Sequence, residues 1–256
     1  MTPVPSVPVR HAVVLAAGNG DRFKNGTGQS KLLQRVLGRP LILRTLATAA
    51  EAGVTSFDVV LGYQADTLRT AIERGAPPGA TVRFHFNPDW HLENGVSALT
   101  VRHRIGPGRF ALLMGDHLFE PVVLSTLLRA ASRPEDSVLA IDSRAVPREV
   151  ADEATKVRLA GDRITAIGKD LHPYDALDTG LFVCSPALFP ALEQARHTGD
   201  TTLSGGIRVL ARQGLMGSVD IGHAAWHDID TLADLASAES RLLDREPVEL
   251  SEGESA

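Results

Sequence analysis

Two glycines and two basic residues near the amino terminus have the types and spacing of an anion-binding loop. The stretch VVLAAGNGDRFKNGTGQSK carries Gly18, Gly20, Arg22 and Lys31 directly after an apolar run. Glycines allow backbone amides to approach an anion closely, and successive amides form a concave nest for phosphate oxygens. Phe23 replaces the third glycine of a dinucleotide fingerprint, and no serine or threonine follows Lys31 as in a P-loop. A flexible surface loop explains this stretch equally well on its own.

Aspartates in two distant segments have the chemistry of a divalent-cation site. Asp116 ends the apolar run of LLMGDH, and Asp228 and Asp230 lie in WHDIDT, just before the last helical segment. Mg²⁺ favours one or two carboxylates together with phosphate oxygens and water, so one carboxylate from each segment would suit a magnesium-bound triphosphate. Alternatively, Asp116 and Asp230 cap the helices that follow them.

Further along the chain, a lysine and an aspartate are candidates for binding a second substrate. Lys169 ends the strand-like run of ITAIGKDL, where it either reaches solvent or supplies a fixed positive charge. Asp178 in DALDTG could accept hydrogen bonds from the vicinal hydroxyls of a polyol, or could form an ordinary Asx turn. His117, next to Asp116, is expected to form a local hydrogen bond at the start of a helix, and contact with the metal or the base is its alternative role. His223 and His227 lie in strand and loop, which argues against a zinc site.

The elements that must position these residues alternate between short apolar runs and helix-length segments. Examples are HAVVLAA, PLILRTLATAAEAG, FDVVLGY, QADTLRTAIERG, TVRFHF and RFALLMGD. This alternation predicts an α/β fold whose mostly parallel sheet has helices on both faces. The run EATKVRLAGDRITAIGKDL instead predicts a small antiparallel insertion over the site, with AGDR as the turn. Ligands of such sheets bind beyond the carboxyl ends of the strands.

Composition excludes several classes of protein. The 26 lysines and arginines against 31 acidic residues give a net charge of −5, which argues against nucleic acid as a partner. The single cysteine excludes a disulfide within the chain, and no apolar run is long enough to span a membrane. We therefore expect a cytoplasmic protein with flexible tails at residues 1–10 and 245–256 around one domain at residues 11–244, the second tail being acidic.

In combination, these motifs resemble the sugar-phosphate nucleotidylyltransferase superfamily, whose opening motif LAAGxGxR matches Leu15 to Arg22. The chain is most similar to the inositol-1-phosphate cytidylyltransferases, through MGDH, NGVS, DEATKV, IGKDL, YDALDTG, LSGGI and WHDIDT. This resemblance implies a Rossmann-like, mixed and mostly parallel sheet of the nucleotide-diphospho-sugar transferase type. It also implies Mg²⁺ as cofactor and leaves assembly as a homodimer open.

The resemblance also implies roles for residues by position. The implied nucleotide-binding residues are Leu15, Ala16, Ala17, Gly18, Gly20, Arg22, Lys31, Gly62, Asn94, Gly95, Ser97 and Gly115. The implied catalytic residues are Arg22, Lys31, Asp116, Lys169 and Asp228, with Asp116 and Asp228 binding the metal. The implied acceptor-binding residues are Lys169, Asp178 and Gly180.

The implied reaction is cytidylyl transfer from CTP to inositol 1-phosphate, giving CDP-inositol and pyrophosphate. The acceptor phosphate has a second pKa of about 6 and is already largely ionised at neutral pH, so the reaction needs no general base. Some members of the family carry a fused transferase that uses the product, and a separate enzyme would do so here. Alternatives keep the fold and change the acceptor, to a phosphonate, phosphocholine or hexose 1-phosphate, or change the nucleoside triphosphate. A nucleotide-sensing regulatory protein is the alternative without turnover.

Overall fold

Thirteen strands form in the described part of the chain, and nine of them belong to one sheet. The computed structural model describes residues 8–20, 23, 28–130, 136–146 and 148–243. The strands are β1 His11–Ala16, β2 Arg35–Val36, β3 Arg39–Pro40, β4 Ser56–Leu61, β5 Thr81–Phe86, β6 Phe110–Met114, β7 His117–Phe119, β8 Ser137–Asp142, β9 Lys156–Ala160, β10 Arg163–Gly168, β11 Ala176–Cys184, β12 Met216–Asp220 and β13 Trp226–Asp228.

The main sheet has the order β5-β4-β1-β6-β11-β8-β12-β10-β9. Its first four strands are parallel, and β8 and β12 are also parallel, whereas β11 runs antiparallel between β6 and β8. The predicted antiparallel hairpin is formed by β9 and β10, which turn at Gly161 and Asp162. Because β9 also pairs with β11, the strands β11, β8, β12, β10 and β9 close on themselves.

Helices cover both faces of the sheet, as the sequence predicts. They are α1 Leu41–Glu51, α2 Ala65–Gly75, α3 Asn94–Leu99, α4 Pro121–Ala130, α5 Arg148–Glu153, α6 Leu188–His197, α7 Leu203–Arg212 and α8 Leu232–Leu243. Pro40 occupies the N-cap of α1, where a missing amide hydrogen is harmless. Leu41, Thr45 and Ala49 recur every four residues and are all buried, which fixes the face that α1 turns to the sheet.

The central strands are apolar on both sides because each face packs against helices. In β1, Val14 and Ala16 belong to a core shared with α1, α2 and α4, whereas Val13 and Leu15 belong to a core shared with α3, α6 and α7. Continuous apolar runs are typical of parallel strands that are covered on both faces. The α/β class with a mixed sheet is therefore confirmed.

Two local features differ from the sequence-based expectations or were not anticipated. His117 does not start a helix, because it begins β7, which pairs with β13. Val9, two residues before the predicted domain boundary at residue 11, is buried in the core. The expected tails otherwise fall on residues 1–7 and 244–256, which lie outside the described part of the chain. Among the described helices, none has the length and apolar character needed to cross a membrane.

Candidate active site

The site lies at the carboxyl ends of β1 and β6, where the sheet topology brings distant segments together. The amide of Gly115 donates to the carbonyl oxygen of Leu15 over 2.9 Å, so Asp116 follows directly beside the end of β1. The loop after β1 returns through a short 3-10 helix at Lys31–Leu33, whose first residue is buried. On the other side, the pairing of β7 with β13 places Asp228 opposite His117.

Lys31 is held by two carboxylates from these segments. Its Nζ atom lies 2.8 Å from Oδ2 of Asp116 and 2.8 Å from Oδ1 of Asp230. Burial disfavours the charged ammonium, but the negative charges of Asp116 and Asp230 outweigh it and raise the pKa of Lys31 above its ordinary value. Lys31 is therefore a fixed cation. The predicted cap role of Asp230 is wrong, because Asp234 instead accepts hydrogen bonds from the amide and hydroxyl of Thr231.

Asp116, His117 and Asp228 form a compact cluster beside this lysine. The Nδ1 atom of His117 lies 2.9 Å from Oδ1 of Asp116 and 3.6 Å from Oδ1 of Asp228. Burial opposes protonation of His117, but the charge of Asp228 and the hydrogen bond to Asp116 raise its pKa to about 9. Burial of Asp116 favours its neutral form, yet Lys31 and His117 hold its pKa far below the ordinary range.

Asp228 is the partly open member of the cluster. Partial desolvation and the charges of Asp116 and Asp230 raise its pKa to about 6, although 42% of its side-chain surface remains exposed. The neighbouring carboxylates Asp116, Asp228 and Asp230 repel one another, so a bound cation would stabilise the ionised form of each.

The cluster fits a divalent cation. Asp116, His117 and Asp228 each offer a ligand atom, and these atoms lie within 4.8 Å of one another. Two carboxylate ligands about 2.1 Å from a Mg²⁺ ion can be separated by up to about 4.2 Å, so the spacing is of the right order. The predicted pair Asp116 and Asp228 is thus brought together, and His117, for which contact with the metal was the alternative sequence-based role, lies beside both carboxylates.

A cavity of about 620 Å³ opens beside the cluster and contains the predicted acceptor-binding residues. Lys169, Asp178 and Gly180 line it, as do Asn94 and Asp228. Burial raises the pKa of Asp178 to about 6, while a 2.8 Å hydrogen bond from the amide of Gly180 partly opposes this rise. That bond closes an Asx turn, so the alternative role of Asp178 also holds.

Gly180 has a specific steric reason to be glycine. Its φ is +72°, and a Cβ atom at this position would lie 2.4 Å from Nε2 of His117. A side chain here would therefore displace the imidazole from the cluster.

Several residues implied to bind the nucleotide also have clear packing roles. Leu15, Ala16 and Ala17 are buried at the end of β1, and a Cβ atom on Gly115 would lie 3.0 Å from the carbonyl oxygen of Leu15. A Cβ atom on Gly62 would lie 2.3 Å from Cβ of Trp90, so only glycine fits at this position beside the Trp90 side chain.

The segment at α3 is likewise tied to its surroundings. Asn94 lines the cavity, and its Oδ1 atom accepts a 2.8 Å hydrogen bond from the amide of Leu203. A Cβ atom on Gly95 would lie 2.6 Å from the carbonyl oxygen of Thr201. Ser97 is buried and accepts a hydrogen bond from Asn87. These contacts fix the start of α3 against the start of α7.

The proposed phosphate loop is only partly described. Gly20 has a φ of +65°, and a Cβ atom there would lie 3.1 Å from the Lys31 side chain, so this glycine lets the lysine stem pass. The space around the α-carbon of Gly18 is open. Arg22 lies outside the described residues, and its assignment stays a prediction.

The structure adds a second group of polar residues that sequence reasoning missed. The buried carboxylate of Asp142 accepts hydrogen bonds from Arg144, at 2.8 Å and 2.7 Å, and from the indole of Trp226 at 2.9 Å. All three residues line the cavity, and the Trp226 ring packs against His117 at 6.3 Å between centroids. Asp142 is the last residue of an apolar strand, as Asp116 closely follows one, and this was the available signal.

Comparisons with known proteins find relatives that cover most of this chain. A bifunctional IPC transferase and DIPP synthase of Rubrobacter xylanophilus is 38% identical over 243 residues, which cover 91% of this chain and 52% of the relative. A CMP-5'-(3-aminopropyl)phosphonate synthase of Streptomyces rubellomurinus is 32% identical over 257 residues, which cover 93% of this chain and 39% of that protein. The chain thus spans about half the length or less of these curated relatives.

Solved structures match over nearly the whole chain. The inositol-1-phosphate CTP transferase from T. maritima superposes with a TM-score of 0.81 at 26% identity, covering 98% of this chain and 100% of that one. A UDP-glucose pyrophosphorylase in complex with UDP-glucose has a TM-score of 0.77 at 18% identity, over 92% of this chain and 99% of that one, and shows the shared fold. Residues 12–215 match the MobA-like NTP transferase domain. The chain therefore belongs to the MobA-like NTP transferase domain family.

Proposed function

We propose that this protein transfers the cytidylyl group of CTP to inositol 1-phosphate in the cytoplasm, with Mg²⁺ as cofactor. One observation carries the proposal. Lys31 forms an ion pair with Asp116, Asp116 lies close to Asp228, and Asp228 lines a cavity that also contains Lys169. The whole-chain similarity to an inositol-1-phosphate CTP transferase supports this choice of nucleotide and acceptor.

The reaction forms a bond from an acceptor phosphate oxygen to the α-phosphorus of CTP. The bond from that phosphorus to the bridging oxygen of the β-phosphate breaks, and pyrophosphate leaves with the electron pair. The acceptor phosphate is already ionised at neutral pH, because its second pKa is about 6, so no side chain needs to remove a proton. Catalysis then consists of bringing two anions into line and reducing their repulsion.

The residues of the site divide this task. Lys31 supplies a fixed positive charge at the end of the predicted anion-binding loop that follows β1, and Lys169 supplies one within the cavity. Asp116 and Asp228 would hold the cation, with His117 beside them. When bound, Mg²⁺ would neutralise phosphate charge and orient the triphosphate. Asp178 faces the cavity, where its carboxylate could accept hydrogen bonds from the polyol hydroxyls.

A phosphonate is the second candidate acceptor. The similarity to a CMP-5'-(3-aminopropyl)phosphonate synthase, at 32% identity over 93% of this chain, favours it specifically. An aminoalkyl phosphonate offers the same ionised nucleophile but carries an ammonium in place of the ring of hydroxyls. Asp142, Asp178 and Asp228 would then face a cation rather than a polyol.

The test is pyrophosphate release with each of CTP, UTP, GTP and ATP against a panel of acceptors. The panel contains inositol 1-phosphate, 3-aminopropylphosphonate, phosphocholine and glucose 1-phosphate, and ³¹P NMR identifies the diphosphate product. We expect the largest kcat/KM for CTP with inositol 1-phosphate. A larger value for another acceptor or nucleotide would reassign the substrate. Nucleotide binding without release for any pair would favour the sensor alternative.

A further inference from the structure

Lys156 is a buried lysine beside the cavity that the reaction outlined above does not use. Only 5% of its surface is exposed. Its Nζ atom donates to the carbonyl oxygen of Lys169 over 2.7 Å and to that of Ala154 over 3.2 Å. The ring of Tyr174 lies 6.0 Å from the same atom. Within the described ranges, Lys156 forms no ion pair with a carboxylate.

A buried ammonium without a carboxylate partner is energetically unfavourable unless strong hydrogen bonds or an external anion compensate it. The two carbonyl oxygens satisfy two of its three N–H donors but neutralise none of its charge. Both carbonyls belong to residues that line the cavity. The Lys156 side chain thus lies directly behind the cavity wall.

The strand register places Lys156 next to both acceptor-binding candidates. In β9 it pairs with Gly168 of β10 on one side and with Leu177 of β11 on the other. Lys169 and Asp178 are the next residues after these two partners. Lys156 therefore lies on β9, the strand that joins β10 to β11 and closes the group of five strands. Its ammonium donates a hydrogen bond to the carbonyl oxygen of Lys169, the first residue after β10.

We propose that Lys156 is a positioning residue for the phosphate of the acceptor. Its hydrogen bond fixes the backbone at Lys169. The exposed Lys169 side chain therefore extends into the cavity from a fixed α-carbon. Bonds from a charged donor are shorter and stronger than neutral ones, which suits the 2.7 Å contact. This inference rests on the proposed function in one respect, namely that Lys169 contacts the acceptor phosphate.

The test compares Lys156→Met with Lys156→Arg and with Arg163→Met as a matched control. Arg163 is a cation at the other end of β10, paired with Asp136 at 3.0 Å. For Lys156→Met we expect the KM of inositol 1-phosphate to rise about tenfold, which corresponds to about 1.4 kcal/mol. The KM of CTP should stay within about twofold, and Lys156→Arg should recover part of the loss because it keeps charge and donors.

A double-mutant cycle with Lys169→Met tests whether Lys156 acts through Lys169. Residues that act as one unit are non-additive, so in the Lys169→Met background the second substitution should change the acceptor KM by less than about twofold. Full additivity would overturn the proposal, as would equal rises in the KM of CTP and of the acceptor. If Lys156→Met does not fold by circular dichroism, Lys156→Gln replaces it in the same measurements.

A calorimetric titration with inorganic phosphate separates this inference from the proposed function. If the wild-type protein turns over no acceptor, the proposed function fails, but phosphate affinity still reports on the anion site. Phosphate binding should weaken about tenfold in Lys156→Met and remain unchanged in Arg163→Met. Equal phosphate affinity in the wild-type and Lys156→Met proteins would overturn the positioning role.

Discussion

Lys31 Nζ lies 2.8 Å from Oδ2 of Asp116, although the two residues come from loops that follow different strands of the sheet. This contact joins the candidate phosphate loop to the candidate metal site. A cation bound by Asp116 and the ammonium of Lys31 would share one carboxylate, so the charge on either affects the other.

Replacing Asp116 with asparagine should lower kcat by at least about a hundredfold, because the variant loses several kcal/mol of transition-state charge stabilisation from the metal. Mn²⁺ binding measured by electron paramagnetic resonance should weaken in parallel. Asp66→Asn, on the exposed first turn of α2, serves as the control and should leave both unchanged. Near-normal turnover in a folded Asp116→Asn protein would remove the metal assignment.

Replacing Lys31 with methionine should destabilise the metal-free protein by about 3 kcal/mol, because Asp116 and Asp230 would lose their shared buried partner. Urea unfolding in EDTA measures this free energy. Arg69→Met breaks the exposed pair with Glu73 and should have a much smaller effect, because solvent screens that pair. Equal effects of the two substitutions would mean that the Lys31 pairs contribute no more than a surface contact.

Asp178→Asn should stabilise the protein while impairing acceptor use. Because burial raises the pKa of Asp178 to about 6, its stabilising protonated form is present at pH 4 and is lost as the pH rises through 6. The gain from the substitution should therefore grow from pH 4.5 to pH 8, where we expect about 1–2 kcal/mol in EDTA. Thermal unfolding at both pH values gives this difference, and a higher KM for inositol 1-phosphate should accompany it. A destabilised variant at pH 8 would contradict the expectation.

A second carboxylate, remote from the site, should have the opposite pH dependence. Asp58 is buried and lies 2.5 Å from Nε2 of His11 and 2.8 Å from Nε2 of His85. Burial favours its neutral form, but hydrogen bonds from both imidazoles lower its pKa. Its contribution to stability is therefore present above its ordinary pKa of about 3.9 and is lost as the pH falls further.

Asp58→Asn should accordingly cost about 1–3 kcal/mol at pH 7, and the cost should shrink toward pH 3. Urea unfolding across this range measures the effect, and the Asp66→Asn protein provides the reference. A cost that is constant with pH would show that Asp58 contributes only packing, not charge.

The order of strands and helices follows from local patterns that the sequence states directly. The alternation of apolar runs with helix-length segments, Pro40 before α1, and the turn at Gly161 predicted elements that the structure contains. These predictions succeed because period, turn chemistry and caps depend on residues close together in the chain. The short pairing of β7 with β13 escaped prediction, since its strands are three residues long and more than a hundred residues apart.

The sequence alone also predicts candidate side chains from residue type and position near element ends, namely Lys31, Asp116, Lys169, Asp178 and Asp228. Only the tertiary structure decided which of them form ion pairs with one another. It assigned Asp230 to Lys31 rather than to a helix cap and placed His117 between two carboxylates. It also buried Lys156 behind Lys169. Burial and charge pairing depend on contacts across the sheet, and these interactions have no signature in local sequence.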